Sequence, residues 1–194
     1  QLPCRKQHCT GQRGGEWQNS NRGGRQSSGR KRGCFADENL AFETVALLAG
    51  AALPEASRCE AVVITGSPVG VYDSTPWMDP LRDFVRQAFE AKTPMVGVCF
   101  GHQIMADAMG GDVCKSEKGW GVGRHSYEIV ARRPWMNGAG PKVSLSVSHQ
   151  DQVITPPIGA VTLARSDHTE HAMLAYEGAP AMSGDGFQVL LPSK

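Results

Sequence analysis

The chain has 194 residues and a net charge of +1, from 20 Lys and Arg against 19 Asp and Glu. No apolar run approaches the ~20 residues that span a bilayer, and the first residues lack the apolar stretch of roughly 7 to 15 that a secretory peptide needs. Membrane insertion and export are therefore not expected, and a cytoplasmic location is the default. The six cysteines, Cys4, Cys9, Cys34, Cys59, Cys99 and Cys114, contain no Cys-x-x-Cys pair, which argues for free thiols rather than a disulfide scaffold.

The near-zero net charge conceals an asymmetry. Residues 1–33 carry eight basic side chains (Arg5, Lys6, Arg13, Arg22, Arg25, Arg30, Lys31, Arg32) and one acid, Glu16, while the remaining residues sum to −6. Only Leu2, Cys4, Cys9 and Trp17 are apolar in that segment. It cannot offset an ordering entropy of ~1 to 2 kcal/mol per residue, so a disordered tail is expected there. Its charge could engage phosphate backbones, but nothing in it reads bases, and nucleic acid is not an expected partner. Cys4, His8 and Cys9 crowd together without a fourth ligand, so no metal is expected.

From Cys34 to Lys194 the composition is that of one globular domain. In chain order, Phe42 to Leu48 reads as a strand or short helix, and Glu60 to Thr65 as a buried strand ended by Gly66-Ser67-Pro68. Pro76 to Lys92 has helical spacing, with Trp77, Leu81, Phe84, Val85 and Ala88 on one face. Thr93 to Val98 is a second buried strand, and a helix from about His102 to Met109 stops at Gly110-Gly111. Shorter β segments follow at Ser126 to Val130, Lys142 to Val147, Ala160 to Ala164 and His171 to Tyr176. The alternation predicts an α/β, flavodoxin-like fold with a mostly parallel sheet and helices on both faces.

The sharpest local signal is Gly97-Val98-Cys99-Phe100-Gly101-His102-Gln103, where a strand runs directly into a helix. A cysteine between two glycines at such a turn sits on a tight elbow that exposes its sulfur, and a helix N-terminus favours thiolate. Oxyanion donors are available from the Phe100 N–H and the Gly66-Ser67 loop. The alternative is a buried core cysteine. Gly119-Trp120-Gly121-Val122-Gly123 lacks the spacing of a nucleotide fingerprint and reads as a tight turn and close-packed strand. Trp77 and Trp120 are taken as packing residues, and no cofactor is implied.

Five blocks in collinear order resemble the class I glutamine amidotransferases, especially stand-alone members similar to the glutaminase domain of GMP synthase: Ile64 to Asp73, Pro94 to Gly111, Lys118 to Gly123, Ser148 to Val153 and His171 to Ser183. The resemblance implies that Cys99 attacks the side-chain carboxamide of glutamine, forming a glutamyl thioester and releasing ammonia. It makes Gly66 and Phe100 the oxyanion positions and Gln103 a glutamine-binding residue. Ser148, His149, Gln150 and Asp151 would recognise the amino-acid end. Partners implied are glutamine and an ammonia-accepting synthetase domain or protein.

The resemblance also exposes a gap. The family carries its catalytic base and orienting acid in a His-Pro-Glu after a late strand, whereas Gly184 to Lys194 contains neither His nor Glu. His102 and His149 match other family positions, His125 begins a strand, and His168 and His171 read as loop and strand start, so none is a ready replacement. Impaired glutaminase activity is expected, with a non-catalytic glutamine-binding pseudoenzyme as the alternative. A cysteine peptidase or γ-glutamyl hydrolase on a similar fold is disfavoured by Gln103 and the Ser-His-Gln-Asp block.

Overall fold

The computed structural model describes residues 42–185. The basic segment with its boundary at residue 33, the Cys4, His8 and Cys9 group, and residues 186–194 lie outside the described residues.

The elements are β1 (Val62–Ile64), α1 (Met78–Glu90), β2 (Met95–Val98), α2 (Phe100–Ala108), β3 (Asp112–Lys115), β4 (Gly121–Ile129), β5 (Lys142–His149), β6 (Asp151–Thr155), β7 (Ala160–Arg165), β8 (Met173–Tyr176) and β9 (Ala181–Gly184). Short 3-10 turns occupy Leu47–Ala49 and Ala56–Arg58, so the segment from Phe42 to Leu48 contributes only the start of such a turn. Helix α1 forms where the apolar spacing predicts, burying Met78, Leu81, Phe84, Val85 and Ala88. Asp79 in its first turn complements the helix dipole, and Pro94 bars continuation beyond Thr93. The Arg82 guanidinium ties α1 to its surroundings, reaching Asp107 on α2 at 2.6 Å, Asp79 at 2.7 Å and the Val71 carbonyl at 2.5 Å.

The α/β class holds. The main sheet is seven-stranded in the order β1-β2-β9-β8-β7-β4-β5, and β3 pairs with β6 in a second, two-stranded sheet. Parallel pairing is confined to β1-β2 and β2-β9. The pairs β9-β8, β8-β7, β7-β4 and β4-β5 are antiparallel, so the sheet is mixed rather than mostly parallel. The reason is connectivity: short loops join β7 to β8 and β8 to β9, and only antiparallel neighbours close over such distances. Both described helices pack into one core cluster with Met95, Leu174 and Tyr176. Met173 and Ala175, the alternate residues of β8, face a second cluster around Tyr127, Leu145 and Leu163, which Trp135 and Met136 of the β4-β5 connection cover.

Two consequences of this topology position the site. Strand β9 lies beside β2 with Val98 opposite Gly184, so its end emerges next to Cys99. Strands β5 and β6 are nearly continuous in sequence but belong to different sheets, so Ser148 to Asp151 forms the corner between them. His149 is in register with Gly121 of β4 and Asp151 with Lys115 of β3, and Ser116 N–H donates to the Gln150 carbonyl at 2.9 Å.

Candidate active site

Cys99 occupies the single residue between β2 and α2, with φ 55° and ψ −109°. A non-glycine residue in that region carries strain of about 1 to 3 kcal/mol and persists only where its surroundings over-determine it. Here they do. A Cβ on Gly97 would fall 2.5 Å from the Gly101 carbonyl oxygen and from Met105 Sδ, and one on Gly101 would collide with the Ile64 carbonyl. The Cys99 N–H donates to the Gly184 carbonyl at 3.0 Å. Helix α2 begins at Phe100, two residues earlier than expected, because the elbow leads straight into the first turn. A Cβ on Gly66 would lie 3.8 Å from Cys99 Sγ, so the loop after β1 runs alongside the sulfur.

Cys99 opens on a cleft of about 240 Å³, lined also by Ser67, Tyr72, Gln103, Lys115, Trp120 and the corner Ser148 to Asp151. Side chains brace that corner. Gln103 Nε2 donates to the Asp151 carbonyl at 2.9 Å, His149 Nδ1 makes a 3.1 Å bond to the same oxygen, and the Tyr72 hydroxyl donates to Asp151 Oδ1 at 2.6 Å. A carbonyl only accepts, so Nδ1 of His149 carries a proton there. Gly70 must be small, since a Cβ would meet Asp151 Oδ2 at 2.9 Å and the Tyr72 ring at 3.0 Å.

Burial pushes the Cys99 thiol up; the Phe100 backbone N–H favours the thiolate, while Asp185 and Asp151 oppose it. Beneath the elbow, His102 is wholly buried. Its Nε2 bonds the His171 carbonyl at 2.9 Å and its Nδ1 the Ser183 hydroxyl at 2.7 Å. Nε2 therefore donates and Nδ1 accepts from Ser183, whose oxygen is left to accept from Tyr176 at 3.1 Å. Burial holds this imidazole neutral, with its pKa lowered to about 3. Asp185, 2% exposed, is pushed well above the usual carboxylate range by burial, with the Thr169 hydroxyl the nearby group favouring its charge; neither oxygen has a well-formed hydrogen bond.

These two groups give opposite pH dependences. Between the unfolded histidine value near 6.5 and about 3, unfolding binds a proton at His102, so its contribution to stability is lost as pH falls through that window. Burial raises Asp185 in the fold above its unfolded value near 3.8, so its contribution is lost as pH rises above that value. Thermal melts are expected to fall from pH 6.5 towards 3 less steeply in His102→Asn than in wild type; equal slopes would remove His102 as the cause.

The sequence profile described as "Glutamine amidotransferase class-I" matches residues 39–184. The chain belongs to the class I glutamine amidotransferase family. It is 30% identical over 131 residues to the glutamine-hydrolysing GMP synthase subunit of Sulfolobus acidocaldarius, covering 68% of each chain. It is 37% identical over 98 residues to the corresponding protein of Methanosarcina acetivorans, covering 50% of each. Among solved structures, a glutamine amidotransferase from Methylobacillus flagellatus superposes with TM-score 0.70 at 28% identity, over 79% of this chain and 61% of that one. The chain thus spans about half to two thirds of the length of these relatives.

Within this amidotransferase fold, the residues singled out in the sequence converge. Gly66, Cys99 and Phe100 meet at the elbow, and Gln103, Ser148, His149, Gln150 and Asp151 line or brace the cleft. Trp77 packs edge-on against Phe100, with ring centroids 5.9 Å apart. Trp120 is different: it stands at the cleft, 65% exposed, because the turn before β4 lifts it from the core. The other histidines are engaged elsewhere. His168 packs edge-on to His125, with centroids 5.3 Å apart, and His171 Nδ1 bonds Thr162 at 2.7 Å. Among the described cysteines, Cys59 and Cys99 are free as expected, whereas Cys114 is disulfide-bonded, because sequence spacing does not report which sulfurs a fold brings together. Tyr72 and Asp185 were not among the expected site residues. Tyr72 lies within the first of the five family-like blocks, but Asp185 lies just past the last of them, after a strand that no local propensity marked. No group of three potential ligands is placed to hold a metal among the described residues, and none of their helices is long and apolar enough to cross a membrane.

Proposed function

We propose that this chain binds glutamine in the cleft and that Cys99 attacks its carboxamide, giving a glutamyl thioester and ammonia. The observation that carries the proposal is the strained elbow, which holds the sulfur at the cleft beside the Gly66 backbone and the Phe100 N–H. Those two backbones suit a developing oxyanion. The corner Ser148 to Asp151 offers backbone groups and a carboxylate to a zwitterion, with Gln103 holding the corner in place. Ammonia would pass to an acceptor, such as a synthetase of the kind named in the two GMP synthase relatives.

Turnover is expected to be slow. No His-Pro-Glu follows β9 in the sequence, and loss of a nucleophile's base costs on the order of 10³ to 10⁶ in rate. A non-catalytic glutamine-binding role is the second reading, favoured by the raised thiol. The test pairs covalent labelling of Cys99 by a glutamine-analogue electrophile with an ammonia-release assay. Labelling slowed by glutamine, with slow release, supports the proposal. Protected labelling with no release selects the binding role, and labelling indifferent to glutamine overturns both. A rate within about tenfold of an intact relative would overturn the expected impairment.

A further inference from the structure

We infer that His149, backed by Asp185, is the proton acceptor for Cys99 in this chain, an inference that rests on the glutaminase reading. His149 closes β5 and lines the same cleft as Cys99. Its Nδ1–H is committed to the Asp151 carbonyl, so Nε2 bears the basic lone pair, and that atom is buried with no hydrogen-bond partner. Asp185 Oδ2 lies 3.8 Å from it. The register of β9 on β2 explains the meeting: Gly184, whose carbonyl accepts from the Cys99 N–H, immediately precedes Asp185. A buried polar group left unpartnered is costly, and here an imidazole nitrogen and a carboxyl are left so together, the carboxyl near enough to Cys99 to act on its charge.

The remaining histidines are less suited. His102 uses both ring nitrogens, on Ser183 and on the His171 carbonyl. His171 is held by Thr162. His168 Nε2 is also unpartnered, but His168 does not line the cleft. Among the described residues, the groups that face the pair are these: His168 and His125 oppose charge on His149 while Asp151 favours it, His102 Nε2 lies 3.8 Å from Asp185 Oδ1, and Tyr127 and the Thr169 hydroxyl also face Asp185.

The steps balance as follows. The Cys99 S–H proton moves to His149 Nε2 as Sγ bonds the carboxamide carbon, and the imidazolium lies near Asp185, whose ionised form the new positive charge favours. The C–N bond breaks and Nε2 returns the proton to the departing nitrogen, which leaves as ammonia. Water then gives a proton to Nε2 and its oxygen to the thioester carbon, the C–S bond breaks, and Nε2 reprotonates the sulfur. Asp185 touches no reacting atom in this scheme and is a positioning residue.

The test reads the pH profile of Cys99 alkylation by iodoacetamide in the full chain, followed at the Cys99 peptide by mass spectrometry, so it does not depend on glutamine turnover. His149→Gln is expected to shift the profile upward by about one pH unit, a tenfold loss of reactivity at fixed pH. Asp185→Asn separates the proposal from simple electrostatics. A carboxylate that merely repels the thiolate would, on removal, shift the profile downward; one that supports an imidazolium shifts it upward. An upward shift in both variants, each with a cooperative melt, supports the pair. A downward or absent shift in Asp185→Asn overturns it. Should either variant not fold, histidine nitrogen chemical shifts of the wild-type chain decide: an unprotonated Nε2 on His149 supports the assignment and a protonated one overturns it. An upward shift without ammonia release would leave the pair standing and defeat the glutaminase reading alone.

Discussion

Gly101→Ala is expected to lower stability by about 3 kcal/mol or more, enough to unfold a marginally stable domain. The added methyl would collide with the Ile64 carbonyl oxygen and lie 2.8 Å from its carbon. Neither partner yields easily, since Ile64 is held in β1 by pairing with Gly97 and Gly101 sits in the first turn of α2. Gly97→Ala acts in the same direction against Gly101 and Met105. Gly110→Ala is the comparator: its φ of 91° strains any side chain, but nothing lies within 4 Å, and the expected loss is about 1 kcal/mol. Urea unfolding midpoints for the three variants should keep that order. A Gly101→Ala midpoint equal to wild type would mean that α2 does not approach β1 as closely as described.

Cys99→Ser is expected to abolish covalent labelling at the cleft and reduce ammonia release to background, while the melting temperature changes little because size and backbone geometry are retained. Cys99→Gly should lose the same chemistry yet be no less stable than wild type, since glycine adopts φ 55° without the strain of about 1 to 3 kcal/mol. The combination separates a functional cysteine from a structural one. A core cysteine would lose packing on truncation to glycine, and a clearly less stable Cys99→Gly with persisting ammonia release would remove Cys99 from the proposed chemistry.

Much of the elbow was legible in the sequence. The run from Thr93 to Gln103 combines an apolar strand, two glycines about a cysteine and a helix, and each part has a local physical signature. Helix α1 was legible from apolar spacing for the same reason. Strands β3, β6 and β9 were not. Ala181–Gly184 has no β-branched residue and pairs on both edges, with β2 and β8, so its conformation is imposed by neighbours distant in sequence rather than by propensity. The mixed pairing was hidden for a related reason, since strand direction follows from which edges meet. The meeting of His149 with Asp185 depends on where β5 and β9 end in the folded sheet and could not be found by spacing. The gap after β9, in contrast, was visible only in sequence, by comparison with the family pattern.

The place of β9 also bears on the order in which the molecule is assembled. It is the last described strand in the chain but stands third in a seven-stranded sheet. Until it arrives, β1 and β2 on one side and the antiparallel β4, β5, β7 and β8 on the other share no strand-to-strand hydrogen bonds. The sheet therefore closes by insertion, through pairings of high sequence separation that form slowly. During synthesis the open edges of β2 and β8 wait for it, exposed to mispairing with other chains. Strand insertion and Cys99 reactivity should then appear together on refolding, because the carbonyl that fixes the Cys99 N–H belongs to the inserted strand.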